Sequence, residues 1–373
     1  MSDSLRTLHV NTDRTFRGGE RQVILLMQGL VERGHTADLA AQPGGELAER
    51  ADVAGLTVHK VRMRGEADVM AMARIASLLR EVDPHILHLH TGHAHTLGVA
   101  ASLLTGRGRR IVSRRVVSPV GRNCLSRFKY RHGVDRYIAI SEAVKRRLLE
   151  IQVPDERVRV VHSCIDPRRF EGVADRSAEL RRELGIPDGA PVVGTVGALC
   201  HAKGFRHFID AIPRVIGQVP EARFVLVGDG ELRTELEKRA ATLALADGAL
   251  TFAGWRNDVP ELLRLLDLFV SSSVEEGLGT SVMQAMLSGT PVVVTDAGGL
   301  PEVVDDGENG LVVPKADPAA LADAMIRLLS GAETGARMAD AGQRTIAERF
   351  TPDRMVEGTL AVYREVLAGK APG

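Results

Sequence analysis

The sequence predicts an α/β protein made of two doubly wound domains, each a parallel sheet with crossover helices. Three observations lead there. Short apolar runs of strand length alternate with longer segments of helical period along the whole chain. The 373 residues are enough for two cores. Apolar content of 44%, aromatic content of 3% and 38 glycines suit a soluble α/β composition.

In the first half the candidate strands are 5–11, 36–41, 57–62, 85–91, 109–116, 136–140 and 157–163, and helical patterns fill 20–33, 67–82 and 141–151. The polar stretch from 166 to 190, with its Pro and Gly, reads as the linker region. A second series follows: PVVGTVGAL at 191–199, ARFVLVG at 222–228, ALTFAG at 249–254, then the segment 267–314. The last pattern, Pro352 to Leu367, is a long amphipathic helix. There is no short-period repeat and no low-complexity tract. Ligands of such sheets sit beyond the carboxyl ends of the strands, so a cleft between the two domains is expected.

Composition also excludes function classes. No apolar run approaches the roughly 20 residues that span a bilayer, and MSDSLRTLHV lacks the basic-then-apolar build of a secretion signal. Cys124, Cys164 and Cys200 are odd in number and widely spaced, which argues against a disulfide framework or a cysteine metal site. The expected compartment is the cytoplasm. A net charge of zero hides an asymmetry: residues 1–170 carry 28 Lys and Arg against 18 Asp and Glu, leaving 20 against 30 in residues 171–373. Between Arg107 and Arg136 ten basic residues face one acid, Asp135. That stretch is either a solvated surface or a patch for an anionic acceptor or membrane face. Nucleic acid is a poor third partner, since no binding motif and few stacking aromatics accompany it.

The most informative stretch is 267–314, DLFVSSSVEEGLGTSVMQAMLSGTPVVVTDAGGLPEVVDDGENGLVVP. An apolar run leads into an acidic glycine turn at Glu276-Gly277-Leu278-Gly279, then Thr280, Ser281 and a helical run to Ser288. Glycines let backbone approach a ligand, and the free N–H groups of a helix start favour an anion such as phosphate. On these grounds alone the unit belongs to any α/β protein. Elsewhere, HLHTGHAH places His88, His90, His93 and His95 after a strand, compatible with a metal site or with a strand-end polar cluster. The metal reading wants further ligands on other strands, and no such series is evident. Val227-Gly228-Asp229-Gly230-Glu231 lacks the glycine spacing of a dinucleotide fingerprint. No D-x-D triplet occurs.

Taken in order, these motifs closely resemble the retaining GT-B glycosyltransferases of the group 1, family 4, glycogen-synthase-like type. The resemblance covers nearly the whole chain. It implies two Rossmann-like domains facing across a cleft, with an acceptor-binding domain at 1–170, a nucleotide-sugar donor domain at 171–350, and a helix at 351–373 returning to the first domain. It implies donor contacts from Gly18 and Gly19 in the first-domain glycine loop, from Gly197, Lys203 and Gly228, and from Glu276, Gly277, Leu278, Gly279, Thr280, Ser281 and Gln284. Lys203 would balance the diphosphate and Glu276 would contact the sugar. Acceptor contacts would come from His90, His93, Arg114, Arg115 and Arg122. The chain departs from the family in three places. Ala198 stands where an Arg is common, Gln284 replaces the second acid of the E-x7-E motif, and Ser113-Arg114-Arg115 occupies the place of the usual cleft histidine. Arg115 is therefore a third candidate for the chemistry.

The expected function is transfer of a sugar from a nucleoside diphosphate to an acceptor hydroxyl, with retention and without a metal or cofactor. The expected setting is bacterial cell-surface glycan or glycolipid synthesis. The acceptor would be a glycan, a lipid-linked or a phosphorylated one, met in the cytoplasm or at the inner membrane face. A catalytically silent sugar-nucleotide binder, and a glycoside phosphorylase on the same scaffold, are the alternatives.

Overall fold

The computed structural model describes residues 4–117, 129–245 and 248–369. The chain forms two compact units, Met1–Cys164 with Pro352–Gly373, and Ile165–Thr351.

The first unit is a seven-stranded sheet of β1 (Arg6–Val10), β2 (Thr36–Ala41), β3 (Thr57–Lys60), β4 (Ile86–Leu89), β5 (Arg109–Arg114), β6 (Arg136–Ala139) and β7 (Val158–Val160). All pairings are parallel, in the order β3-β2-β1-β4-β5-β6-β7. The order reverses between β1 and β4, the place where chain leaving both strands opens a crevice. The helices are α1 (Gly18–Glu32), α2 (Glu46–Val53), α3 (Val69–Val82), α4 (Gly92–Thr105) and α5 (Glu142–Glu150). Thr91 begins α4 by accepting from the Ala94 N–H at 3.2 Å, and Ser141 begins α5 by accepting from the Val144 N–H at 3.1 Å. Strand β4 is buried throughout, and α4 lies so close to it that a side chain on Gly98 would overlap Leu89.

The second unit has β8 (Val192–Val196), β9 (Arg223–Val227), β10 (Leu250–Gly254), β11 (Leu268–Ser271), β12 (Val292–Thr295) and β13 (Leu311–Val313), all parallel in the order β10-β9-β8-β11-β12-β13. The reversal here falls between β8 and β11. Its helices are α6 (Ser177–Glu183), α7 (Phe205–Ile216), α8 (Arg233–Thr242), α9 (Val259–Leu265), α10 (Thr280–Leu287), α11 (Pro318–Ser330) and α12 (Ala332–Arg349). Phe208, Ile212, Phe224, Leu268, Val293 and Met325 form part of one core between α7, α11 and the sheet.

The terminal helix α13 (Pro352–Leu367) belongs to the first unit, as the sequence reading expected. Met355, Val356, Leu360, Tyr363 and Val366 join the core made by α1 and β2. Val356 sits where a side chain on Gly29 would otherwise be, which lets the two helices approach closely. At the rim, Arg33 pairs with Asp353 at 2.6 Å and Glu357 at 2.7 Å, while Arg136 and Arg159 share Glu365 at 3.1 and 2.6 Å. In the interior the Tyr363 hydroxyl lies 2.6 Å from His88 Nδ1. Replacing Tyr363 by Phe keeps the ring and leaves a buried imidazole nitrogen without its partner. The expected loss is about 1–3 kcal/mol, read as a lower denaturant midpoint with an unchanged slope.

Three described regions differ from the sequence reading. Helices α2 and α4 had no helical pattern assigned to them, and the 166–190 stretch contains α6. Among the described residues no helix is long and apolar enough to cross a membrane.

Candidate active site

In the second unit, two loops leave neighbouring strands and are tied together by their backbones. The chain after β8 runs through Gly197, exposed Ala198 and Leu199 to a short turn at His201–Lys203, then to Gly204 and α7. The chain after β11 runs through Ser272, Ser273 and Val274 to Glu276. The Ser272 hydroxyl donates to the Lys203 carbonyl at 3.1 Å, and the Val274 and Glu275 N–H groups donate to the Ala202 carbonyl at 2.9 and 3.1 Å. Gly204 permits this: its φ is +58°, and a Cβ there would overlap the Ser272 carbonyl.

The consequence is chemical. Lys203 Nζ lies 2.5 Å from Glu276 Oε2, although the residues are far apart in sequence. Their side chains are 23% and 13% exposed, so the pair is shielded yet reachable. The Ser273 hydroxyl donates to the same oxygen at 3.2 Å, and the Gly277 N–H donates to Oε1 at 3.2 Å. Gly298 supports the turn from behind. Its φ is +57°, a Cβ would overlap the Glu276 carbonyl, and its neighbour Gly299 donates to that carbonyl at 3.1 Å.

Just beyond, Gly279 leads into α10 at Thr280, with Ser281 and Val282 completing the first turn. These first N–H groups have no intrahelical acceptor, and no acidic side chain occupies the turn. The helix start is therefore electropositive. Gln284 stands one turn after Thr280 on the same face, while Leu278 is buried beneath. Gly197 donates to the Val227 carbonyl at 3.0 Å and Gly228 to the Gly254 carbonyl at 2.7 Å, so the β8 and β9 exits are fixed side by side. The sequence candidates of this unit thus form one cluster: a cation, a carboxylate and a free helix start.

The first unit presents a different chemistry. His9 on β1, His88 on β4 and His90 after it bring ring nitrogens within 4.8 Å of one another, all buried. Thr7 gives its hydroxyl proton to the Thr36 carbonyl, so it accepts from His9 Nε2 at 3.0 Å, and His9 Nδ1 then accepts from His90 Nε2 at 3.0 Å. His88 bonds Tyr363 through Nδ1 and Ser113 Oγ through Nε2 at 2.7 Å. Burial, reinforced by the Arg115 charge, holds His9 down to about 3. Burial, with the neighbouring histidines and Arg115, keeps His88 and His90 well below the usual imidazole range. Of these nitrogens only His90 Nδ1 is left without a partner among the described residues, the pattern of a structural polar network.

Of the remaining first-unit candidates, Gly18 and Gly19 open α1, with Arg115 beneath: its Cδ is 3.5 Å from where a Gly19 Cβ would stand. His93 is exposed on the first turn of α4, and Arg114 donates to the Tyr130 hydroxyl at 3.1 Å. Arg122 lies outside the described residues. Sequence reasoning missed Asp13 and Glu20. Glu20 is buried and accepts from the Arg17 N–H at 3.0 Å and from Asn11 Nδ2 at 3.4 Å. Burial and the Glu20 carboxylate raise Asp13 above the usual carboxylate range. An acid three residues into a helix that opens on Gly-Gly was the available signal.

The basic stretch is less basic in space than along the chain. Arg107 pairs with Asp83, Arg109 and Arg110 with Asp135, Lys129 with Glu66 at 2.6 Å, and Arg136 with Glu365. Three acids remote in sequence, Asp83, Glu66 and Glu365, thus join Asp135 against the ten basic residues.

Comparison with known proteins adds to this geometry. Residues 16–169 match the family model described as Glycosyltransferase Family 4, and residues 190–331 match that of Glycosyl transferases group 1. A 2-deoxystreptamine N-acetyl-D-glucosaminyltransferase of Streptomyces fradiae is 30% identical, covering 95% of this chain and 92% of that one. A lipopolysaccharide core biosynthesis glycosyltransferase of Rhizobium meliloti (strain 1021) is 28% identical, covering 95% and 96%. The fold matches that of HepE from Anabaena, solved with UDP-glucose, at a TM-score of 0.85 and 21% identity, covering 97% of this chain and all of the other.

Proposed function

Because this chain belongs to the group 1, family 4 glycosyltransferases and has their GT-B type of fold, we propose that it moves a sugar from a nucleoside diphosphate to an acceptor hydroxyl, with retention of configuration. The observation that carries the reading is the Lys203–Glu276 pair, 2.5 Å apart beside the uncapped start of α10. A diphosphate needs cations and N–H donors; a sugar needs a hydrogen-bond acceptor for its hydroxyls. Both are here.

In the proposed mechanism the diphosphate rests on the first-turn N–H groups of α10 and on Thr280 and Ser281, and Lys203 turns from Glu276 to the phosphate. The carboxylate so released accepts hydroxyls of the sugar. The bond from the anomeric carbon to the phosphate oxygen breaks, and the charge that develops on that oxygen is met by Lys203. The acceptor oxygen bonds to the anomeric carbon on the same face, and its proton goes to the departing phosphate. A Cβ on Gly228 would overlap the Gly197 carbonyl, so these two glycines set the close approach of the β8 and β9 exits against which the nucleotide is placed, and Gln284 holds ribose hydroxyls without adding charge. Gly18, Gly19, His90, His93, Arg114, Arg115 and Arg122 are proposed for the first-unit share of substrate binding. The acceptor class is a glycan or a lipid-linked glycan. The Rhizobium relative favours this, whereas the Streptomyces relative would favour a small aminocyclitol.

Nucleoside diphosphates should raise the melting midpoint selectively, since a ligand at 100 times its Kd stabilises by about 2.7 kcal/mol. UDP is the first to test, followed by the other bases. If none stabilises the protein and no nucleotide sugar is turned over, the proposal fails. Stabilisation without turnover, against a broad acceptor panel, would point to the silent binder.

Metal independence is part of the proposal. Lys203 and the α10 start supply positive charge to the leaving group, and the chain carries no D-x-D triplet. Transfer in excess chelator should keep most of its rate. Loss of activity that Mn²⁺ or Mg²⁺ restores would contradict this and return attention to His9, His88 and His90.

A further inference from the structure

One recess of the first unit takes no part in the clusters described above. It holds about 530 Å³ and lies where β4 and β5 begin, at the end of the sheet opposite the crevice of their carboxyl ends. That volume is in the range of small-molecule sites. Two of its walls are apolar side chains left in water. Leu103, in the last turn of α4, is 61% exposed, and Leu367, the last residue of α13, is 37% exposed. The polar lining is held by the backbone. Arg109 donates its N–H to the His85 carbonyl at 2.9 Å, so the two stand side by side where β5 and β4 start. His85 Nδ1 accepts from the Arg6 N–H at 3.2 Å, which puts a ring proton on Nε2. Buried Ser102 donates to the Arg107 and Gly108 carbonyls at 2.7 and 3.1 Å and so fixes the turn from α4 to β5.

Charge decides what such a recess can take. Asp135 Oδ2 is occupied by Arg110, which donates to it from the backbone N–H at 2.7 Å and from Nε at 3.1 Å. Arg109 reaches only the other oxygen, at 3.8 Å, beyond hydrogen-bond length. Its guanidinium has no hydrogen bond among the described residues, and its side chain is 54% exposed. The same imbalance recurs on either side. Asp83 is shared by Arg6 and Arg107, and Glu365 by Arg136 and Arg159. Three carboxylates therefore serve six arginines. The surplus is positive, and the walls are apolar.

We propose that this recess binds a small organic anion with an apolar body, a medium-chain or aromatic carboxylate. The acid sits on Arg109 and His85 Nε2, and the body lies between Leu103 and Leu367. The anion would touch α4, β5 and α13, so it fastens the last turn of the terminal helix to the sheet. Substrates of such sheets bind at the other end of the strands. The site is thus a regulatory or stabilising one, and it is independent of the transferase reading.

Octanoate is the probe, titrated calorimetrically into the full chain at constant ionic strength. It should bind with a Kd below about 1 mM. Acetate, which has the charge alone, and octanamide, which has the body alone, should each bind at least about tenfold more weakly. Arg109→Gln and Leu103→Ser change exposed side chains, so each should keep the melting midpoint of the ligand-free protein. Each should weaken octanoate at least about fivefold. Amide hydrogen exchange in the last turn of α13 should slow when octanoate is bound. No saturable binding, an equal affinity for acetate or octanamide, or an unchanged affinity in either variant overturns the proposal. Competition with UDP does so too, since it would place octanoate in the nucleotide site. A chain stopped at Gly369 should bind octanoate as the full chain does. Tighter binding there would make residues 370–373, which lie outside the described set, the occupant of the recess, and is equally fatal.

Discussion

Lys203→Ala is expected to lower transfer by at least about 100-fold, the scale of one lost charge-stabilising contact in a transition state, while the melting midpoint moves by only a few degrees. The side chain hangs from a short turn whose backbone bonds, Ala202 to Val274 and Glu275, survive the substitution. Glu276→Gln should lower turnover by a similar factor for a different reason, and binding separates the two. In the ligand-free pair Glu276 holds Lys203 at 2.5 Å, so a diphosphate must compete with the carboxylate for the ammonium. Lys203→Ala should therefore weaken nucleoside diphosphate binding, whereas Glu276→Gln should leave it equal or tighter. Calorimetric titration of both variants decides the matter. Weaker binding in Glu276→Gln, or a loss of stability in proportion to the loss of rate, would make the pair a structural ion pair.

Acidification is expected to unfold the first unit well before the carboxylates of an ordinary surface would require it. His9 and His95 are buried and held at about 3, each chiefly by desolvation. An unfolded histidine titrates near 6.5, so below that pH the unfolded chain binds more protons than the folded one. Both groups are neutral in either state above about 7, and the stability is complete there. It falls as pH drops through 6.5 and continues to fall toward 3. By pH 4.5 each group costs about 3 kcal/mol, and the two together about 5 kcal/mol, a large share of a domain's net stability. His88 and His90 add in the same direction. Urea unfolding at pH 7.5 and 4.5 measures the loss. His95 packs edge-on against Tyr130 and Tyr137, so His95→Phe should keep the fit and remove about half of the acid sensitivity assigned to the pair. A midpoint that is flat between these pH values would show that the imidazoles are hydrated or charged in the folded state.

Much of the architecture could be read from the chain because parallel strands buried on both faces write themselves as unbroken apolar runs. Thus β1, β2 and β6 fall within a residue or so of their expected limits, and so does the start of the motif-bearing α10. Helix α4 was hidden by its own packing. Two glycines and two histidines in its first seven residues look like a loop, yet Gly98 is required by Leu89 and His95 by the tyrosines. The donor cluster was legible as separate motifs, but the contact between Lys203 and Glu276 was not, because it depends on backbone bonds between loops from different strands. The same limit explains the basic stretch. Counting along the chain sees Asp135 alone, while folding brings in Asp83, Glu66 and Glu365. Likewise Arg114 and Arg115 are neighbours in sequence, yet one is bonded to Tyr130 and the other to nothing described.

The first unit is assembled from two separate stretches of the polypeptide, with residues 165–351 inserted between them. During synthesis, the seven strands of that unit leave the ribosome early, but Met355, Val356, Leu360 and Tyr363 arrive only after residues 165–351 have been made. Until then the face of α1 around Gly29, the hydroxyl that His88 requires, and the carboxylate shared by Arg136 and Arg159 are all missing. The second unit is continuous and can close while the first waits. Nascent chains should therefore acquire a protease-resistant second unit before the first, and a chain stopped at Thr351 should hold a folded 165–351 beside an open, chaperone-dependent remainder. In a cell this order makes α13 a checkpoint on the first unit: only a chain made past Leu367 seals the part that was made first.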